Sequence, residues 1–163
     1  MTSIENRLRK LEDESEIKIL KANYCTYCDD NYDADGIASL FIEEGLWDGA
    51  FMGRFEGREA IRAHFQGVTE VMGFAIHHVM NPIIEVDGDL AKGQWYLWQP
   101  CMGGRKNRGL WFAARYRETY CRTEKGWLFN EMIIDPKMYA PYDGGWAENR
   151  FVTGEERAIE EPG

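Results

Sequence analysis

Apolar residues recur at helical spacing at the start of the chain, at Ile4, Leu8 and Leu11 and then at Ile17, Leu20 and Tyr24. This period predicts one long or two short amphipathic helices over residues 4–29, charged on the outer face. Asp29-Asp30-Asn31 ends the pattern with poor helix formers, and Asp33-Ala34-Asp35-Gly36 opens a second short helix that runs to Phe41. Leu46 to Phe51 predicts a first strand, and Gly57 to Phe65 a third helix with Ala60, Ile61 and Phe65 turned inward. The period then changes to that of strands, predicted over 74–86, 91–102, 110–122 and 126–134. Their joints are Asp87-Gly88-Asp89, a solvated hairpin loop holding Arg105-Lys106-Asn107-Arg108, and Thr123-Glu124-Lys125-Gly126. Helices at the front and an antiparallel meander behind them predict an α+β domain, with helices covering one face of a curved sheet and a pocket on that face. From Met138 to Gly163 the pattern is irregular, which divides the chain into a domain over 1–137 and a tail over 138–163. Tyr139, Tyr142, Trp146 and Phe151 are costly to leave in water, so the tail is expected to pack over the pocket or on a neighbouring subunit.

A chain of 163 residues can bury a core without disulfides or metal. Its formal charge of -9 and pI near 4.9 argue against nucleic acid as a partner, because phosphate binding needs a basic footprint. No apolar run reaches the roughly 20 residues that span a bilayer, and the N-terminal stretch lacks a signal-peptide core, so no membrane association and a cytoplasmic location are expected. Cys25, Cys28, Cys101 and Cys121 are then expected as buried free thiols; Cys25-x2-Cys28 stands at the end of a helix and lacks two further ligands at matching spacing.

The candidate chemistry centres on Ile76-His77-His78-Val79-Met80-Asn81-Pro82, which holds two of the three histidines. Histidine titrates near neutrality and can take and return protons. Strand alternation sends His77, Val79 and Asn81 to one face and His78 to the other, so only one imidazole can face the pocket. Asp29 follows the inward stripe of the first helix and would be costly to bury unpaired. A carboxylate that accepts the Nδ1 proton of an imidazole leaves Nε2 free as a base. Asp29 and Asp30 could equally serve as helix-terminal groups, and on residue types alone the two readings balance.

Several motifs stand in one order: Tyr24-x4-Asp29, Asp35-Gly36-Ile37-Ala38-Ser39-Leu40-Phe41, Glu44-Gly45-Leu46-Trp47-Asp48 and Phe55-Glu56-Gly57-Arg58-Glu59-Ala60-Ile61. They continue in His77-His78-Val79-x-Asn81-Pro82, Val86-Asp87-Gly88-Asp89 and Ala114-Arg115-Tyr116-x-Glu118-x-Tyr120-x-Arg122-x4-Gly126-Trp127. Over about residues 10 to 135 this arrangement resembles the SnoaL-like branch of the nuclear transport factor 2-like superfamily. The resemblance implies a cone-shaped α+β barrel with a deep pocket, as in scytalone dehydratase, steroid isomerase, limonene epoxide hydrolase and lindane dehydrochlorinase. In the dehydratase and dehydrochlorinase members the catalytic pair is an Asp near the end of the first helix and a His in a His-x3-Asn pattern. Carried over, these are Asp29 and His77, with Asp30 and His78 in reserve.

The rest of the pocket is expected from aromatic residues, of which alternation admits about half. Tyr24, Tyr27, Trp47, Phe51 and Asn81 are the expected substrate-binding residues from the first part of the chain. Tyr96, Trp98, Phe112 and Tyr116 join them from the later strands. A tyrosine hydroxyl among Tyr24, Tyr27, Tyr96 and Tyr116 would assist the leaving oxygen. No metal and no other cofactor is expected, since His77 and His78 face apart, His64 stands on a separate helix, and Gly103-Gly104 opens no helix. The expected function is a lyase or dehydratase of a small hydrophobic molecule, aromatic, lignin-derived or polycyclic, losing water, halide or formaldehyde. An isomerase would use the same base, and a non-catalytic binding or assembly domain would keep the pair as structure. Members of this fold pair sheets, so a homo-oligomer, dimer or trimer, is expected.

Overall fold

The computed structural model describes residues 3–103 and 108–152; Arg105, Lys106 and Asn107 of the predicted loop and the last residues of the tail lie outside them. Ser3 starts helix α1 (Ile4–Asp29) by accepting the Asn6 N–H at 3.2 Å. The helix buries residues only from Asp13 onward, and its buried face runs through Ile17, Leu20, Tyr24, Cys25 and Cys28. The stripe predicted before it stays in solvent, with Ile4, Leu8 and Leu11 at 81%, 54% and 63% exposure. Asp33 caps α2 (Ala34–Ser39) through the Gly36 N–H at 3.0 Å. Strand β1 (Phe41–Asp48), a 3-10 turn (Ala50–Met52), β2 (Arg54–Glu56) and α3 (Arg58–Val68) follow. Among the described residues no helix is long and apolar enough to cross a membrane.

The remaining chain is β3 (Met72–Ala75), β4 (His78–Asp87), β5 (Leu90–Gly103), β6 (Arg108–Thr123), β7 (Gly126–Pro141) and the single turn α4 (Gly145–Glu148). The sheet has the order β2-β1-β7-β6-β5-β3, and β4 also pairs β5. All neighbours are antiparallel except β1 beside β7. This strongly curled mixed sheet wraps the helices into the cone-shaped α+β fold. Inward and outward positions alternate along β5 and β6, where Trp95, Leu97, Gln99 and Cys101 on one strand and Phe112, Ala114, Tyr116 and Glu118 on the other are buried.

Three departures from the sequence pattern bear on the site. The strand predicted over 74–86 is two strands, broken at Ile76-His77, each paired to a different half of β5. The first strand begins at Phe41 rather than Leu46, and Phe51 sits in the 3-10 turn after it. The last strand runs past Ile134 to Pro141, with Met138, Tyr139 and Ala140 buried against β6. Pro136 does not end it because the register shifts beside Ala114, where a proline is tolerated. The chain then folds back on its own domain: the Val152 N–H donates to the Tyr139 carbonyl at 2.7 Å, and Val152 is buried.

The core also holds a buried ion pair. Lys21 donates to Glu118 at 2.6 Å with both side chains fully enclosed, and its ammonium stands 3.2 Å from the centre of the Tyr116 ring. The other oxygen of Glu118 accepts the Tyr120 hydroxyl, which in turn accepts the Trp95 indole N–H at 3.1 Å. Gly93 makes room for this chain, since a Cβ there would stand 2.5 Å from the Tyr120 hydroxyl. Removing one partner of such a pair strands the other charge in the core. Lys21→Met is therefore expected to lower the unfolding free energy by about 3–5 kcal/mol, and the double change with Glu118→Gln to recover part of the loss, as read by urea denaturation.

Candidate active site

The last turn of α1 carries no basic residue, and a carboxylate at the negative end of a helix is poorly placed unless donors meet it from elsewhere. Asp29 finds them at the break between β3 and β4. Its Oδ1 accepts the His77 backbone N–H at 3.0 Å, its Oδ2 the same N–H at 3.2 Å, and Oδ1 lies 2.6 Å from His77 Nδ1. The His77 side chain is 6% exposed and that of Asp29 30%. With the Nδ1 proton directed at a carboxylate, Nε2 is the free ring nitrogen, and it has no hydrogen-bond partner among the described residues. Asp30 caps α1 through its N–H to the Thr26 carbonyl and is exposed, and His78 is exposed at the start of β4.

His77 lines an apolar cavity of about 50 Å³ between the helices and the sheet. Of the residues expected there, Tyr24, Trp47, Phe51, Phe112 and Tyr116 join it. Four others lie elsewhere. Tyr27 is half-buried where α1 meets α2, with its ring against Gly36. Asn81 is exposed and takes φ 53° at the register shift in β4, a left-handed position that asparagine tolerates, so it serves the backbone. Tyr96 and Trp98 occupy the opposite phase of β5 from Trp95, Leu97 and Gln99 and so reach the outer face. There Tyr96 meets Arg115, and Trp98 stacks on Trp111 at 5.2 Å.

The cavity includes residues that the sequence pattern did not single out for it. Tyr32 and Asn31 both adopt left-handed backbone, at φ 53° and 56°, which turns the chain back after α1 and drives the Tyr32 ring inward. That ring stacks on Phe65 at 6.2 Å and stands edge-on to His77 at 6.4 Å. His64 enters from α3, stacked on Phe55 at 4.1 Å and beside Trp47 at 4.9 Å. Gln99, 4% exposed, enters from β5. For His64 the signal was its place beside Phe65 on the third helix; for Gln99 it was a lone amide among apolar residues.

Burial sets the protonation of these groups. Burial holds the His77 imidazole below its ordinary 6.5, while the hydrogen bond and charge of Asp29 pull the other way. Burial alone lowers His64 to about 4. Burial raises the Tyr24 phenol well above its ordinary 10, opposed by the indole N–H of Trp47 that it accepts at 3.0 Å. The cavity-facing Cys28 thiol is likewise pushed up by burial and remains protonated near neutrality, which removes it as a nucleophile. All four cysteines are free, and no cluster of three or more His, Cys, Asp or Glu side chains suited to a metal ion occurs among the described residues.

The sequence profile of the SnoaL-like domain matches residues 9–133. No functionally curated protein matches the chain. Among solved structures it is similar to a proposed aromatic ring hydroxylase from Novosphingobium aromaticivorans, with 27% identity and a TM-score of 0.74 over 80% of this chain and 94% of that one. A proposed scytalone dehydratase from the same species shares 19% identity at a TM-score of 0.74, over 82% and 89% of the two chains. The hexachlorocyclohexane dehydrochlorinase LinA-type3 from Novosphingobium barchaimii shares 21% at 0.75, over 91% and 99%.

The lowered proton affinity of His64 has a measurable consequence. Between about 4 and 6.5 the unfolded chain binds the proton that folded His64 refuses, so the stability from neutral His64 is present above 6.5 and lost as pH falls towards 4. His64→Phe, which keeps the stack on Phe55, is expected to flatten the rise of unfolding free energy with pH across that window, as read by urea titrations at stepped pH.

Proposed function

Because the chain belongs to the SnoaL-like family and leaves Nε2 of His77 unbonded in an apolar cavity, we propose that it is a lyase of a small hydrophobic, ring-bearing molecule. Asp29 holds the Nδ1–H tautomer and stabilises the imidazolium that forms. Nε2 removes a proton from the carbon next to one bearing a hydroxyl, a halide or a hydroxymethyl group, and elimination of water, hydrogen halide or formaldehyde follows. Tyr24 is the group assigned to the leaving oxygen. Burial keeps it protonated and holds its proton more tightly than in a free phenol, with the Trp47 N–H on its oxygen acting the other way, so it serves the leaving oxygen as a hydrogen-bond donor. The names of the dehydratase and dehydrochlorinase neighbours agree with this reaction class. An isomerase would use the same base and return the proton to another carbon of the substrate.

In a second reading the domain is a non-catalytic binding or assembly domain and the Asp29–His77 pair is structural. The observation against it is the unbonded Nε2, since a structural pair would engage both ring nitrogens. On the outer face Trp98 and Trp111 stack beside Trp146 and Tyr142, which are 54% and 66% exposed. This uncovered aromatic strip supports association of two or three copies of the chain. Light scattering is expected to give a mass of two or three chains; a monomer at micromolar concentration counts against it.

The activity is tested by mass spectrometry of hydroxylated aromatic, steroid-like and lignin-derived compounds incubated in D2O without added cofactor. Loss of water or formaldehyde, or deuterium gain without other mass change for an isomerase, is expected with wild type. His77→Ala should reduce the rate about 10²- to 10⁴-fold. Asp29→Asn should reduce it with the fold retained, since the amide oxygen can still accept the His77 N–H. Because His77 acts neutral and its affinity for the proton is lowered, kcat/KM should be level above 6.5 and fall as pH drops through a midpoint below that value. Equal turnover by wild type and His77→Ala would sink the base assignment.

A further inference from the structure

Helix α1 buries nothing before Asp13, yet what it shows to solvent there is patterned. Ile4, Leu8, Leu11 and Ser15 share one face of the helix, turned away from the face that buries Ile17, Leu20 and Tyr24. The rest of the domain lies on the other side, where Arg9 reaches Asp89 at 3.8 Å. Ile4, Leu8 and Leu11 are all exposed, and Ile19, 57% exposed, carries the stripe further along the helix. Large apolar side chains repeated along a solvent face are favoured when another surface covers them.

Spacing and charge narrow what that surface is. Steps of four, three and four residues are those of a heptad seam, with Ile4 and Leu11 at d and Leu8 and Ser15 at a. Lys18 falls on the next d position and ends the seam. Glu5 and Glu12 stand at e on one flank, and Arg7 at g on the other. Neither Arg7 nor Glu12 has an ion-pair partner among the described residues. Two parallel copies of such a helix bring each g residue against the e residue of the next heptad, which sets Arg7 of each copy against Glu12 of the other. Antiparallel copies face e against e, Glu5 against Glu12, which repels. An anionic membrane surface fits poorly, because Glu5, Glu12, Glu14 and Glu16 are spread along the same stretch of a chain whose formal charge is -9.

We propose that the exposed face of α1 over residues 4–15 is an interaction surface for a second copy of this chain. The two helices lie parallel, with Leu8 and Leu11 at the centre of the seam and an Arg7–Glu12 pair on either side of it. This contact is separate from the aromatic strip of Trp98 and Trp111 on the sheet, and it does not depend on the reaction at His77. So short a seam is weak alone, and a contact elsewhere between the same copies strengthens it by raising the local concentration of the second helix. Covalent trapping therefore suits it better than a measurement of mass.

The test is disulfide trapping in the full chain carrying Cys121→Ser, which removes the native thiol that is not buried. Leu11→Cys puts a thiol at d, where the same position of a parallel copy faces it, and Asn6→Cys puts one at f, away from the seam, as a control. Under mild oxidation at micromolar concentration, covalent dimer is expected about tenfold faster from Leu11→Cys than from Asn6→Cys. Adding Leu8→Glu should remove the difference. Adding Arg7→Glu or Glu12→Arg should slow trapping about three- to tenfold, and the two together should restore it. All of these positions are exposed, so circular dichroism should match wild type. Equal rates from Leu11→Cys and Asn6→Cys overturn the pairing, whatever else covers the stripe. Faster trapping from Leu11→Cys that ignores both charge reversals overturns the parallel arrangement.

Discussion

The Asp29 carboxylate is the point on which helix, sheet and chemistry meet. It ends α1 where a negative group is disfavoured, and it is held there by the backbone N–H and Nδ1 of His77 in the gap between β3 and β4. That gap breaks one β segment into two, each paired to a different half of β5. One side chain thus anchors the helix to the sheet, satisfies the N–H left over at the break, and fixes which ring nitrogen faces the cavity.

Two kinds of buried polarity share this small interior. The Lys21–Glu118–Tyr120–Trp95 chain is closed, each member meeting another, and it stiffens the packing between α1 and the sheet. Around the cavity the polarity is open: His77 presents an unbonded nitrogen and Gln99 an unbonded amide, among rings of Tyr24, Trp47, Phe65 and Phe112. A closed network stabilises a fold, whereas open groups in a dry pocket are costly alone and become favourable with a ligand. Tyr32 adds to this contrast, since a tyrosine at φ 53° is an uncommon conformation held in place by its stacking on Phe65 beside His77.

Local chemistry along the chain determined a good deal. The helical period of Ile17, Leu20 and Tyr24, the capping residue Asp33 and the alternation through β5 and β6 made the α+β order legible, while the choice of Asp29 and His77 as a pair came from the family resemblance that Tyr24-x4-Asp29 and His77-x3-Asn81 carry. Lys21 and Glu118 each stand on the buried phase of their own element, and the fold brings them together as a pair. Tertiary structure alone decided the rest. Both phases of β5 are rich in large apolar groups, with Trp95 and Leu97 against Tyr96 and Trp98, so periodicity could not say which phase faces the cavity; curvature and pairing with β6 did. Asn81 turned to backbone duty because a register shift placed it at positive φ, and His77 fell opposite Gln99 because two short strands share one long partner. Such relations depend on distances across the fold, whereas sequence patterns report only what neighbouring residues along one element prefer.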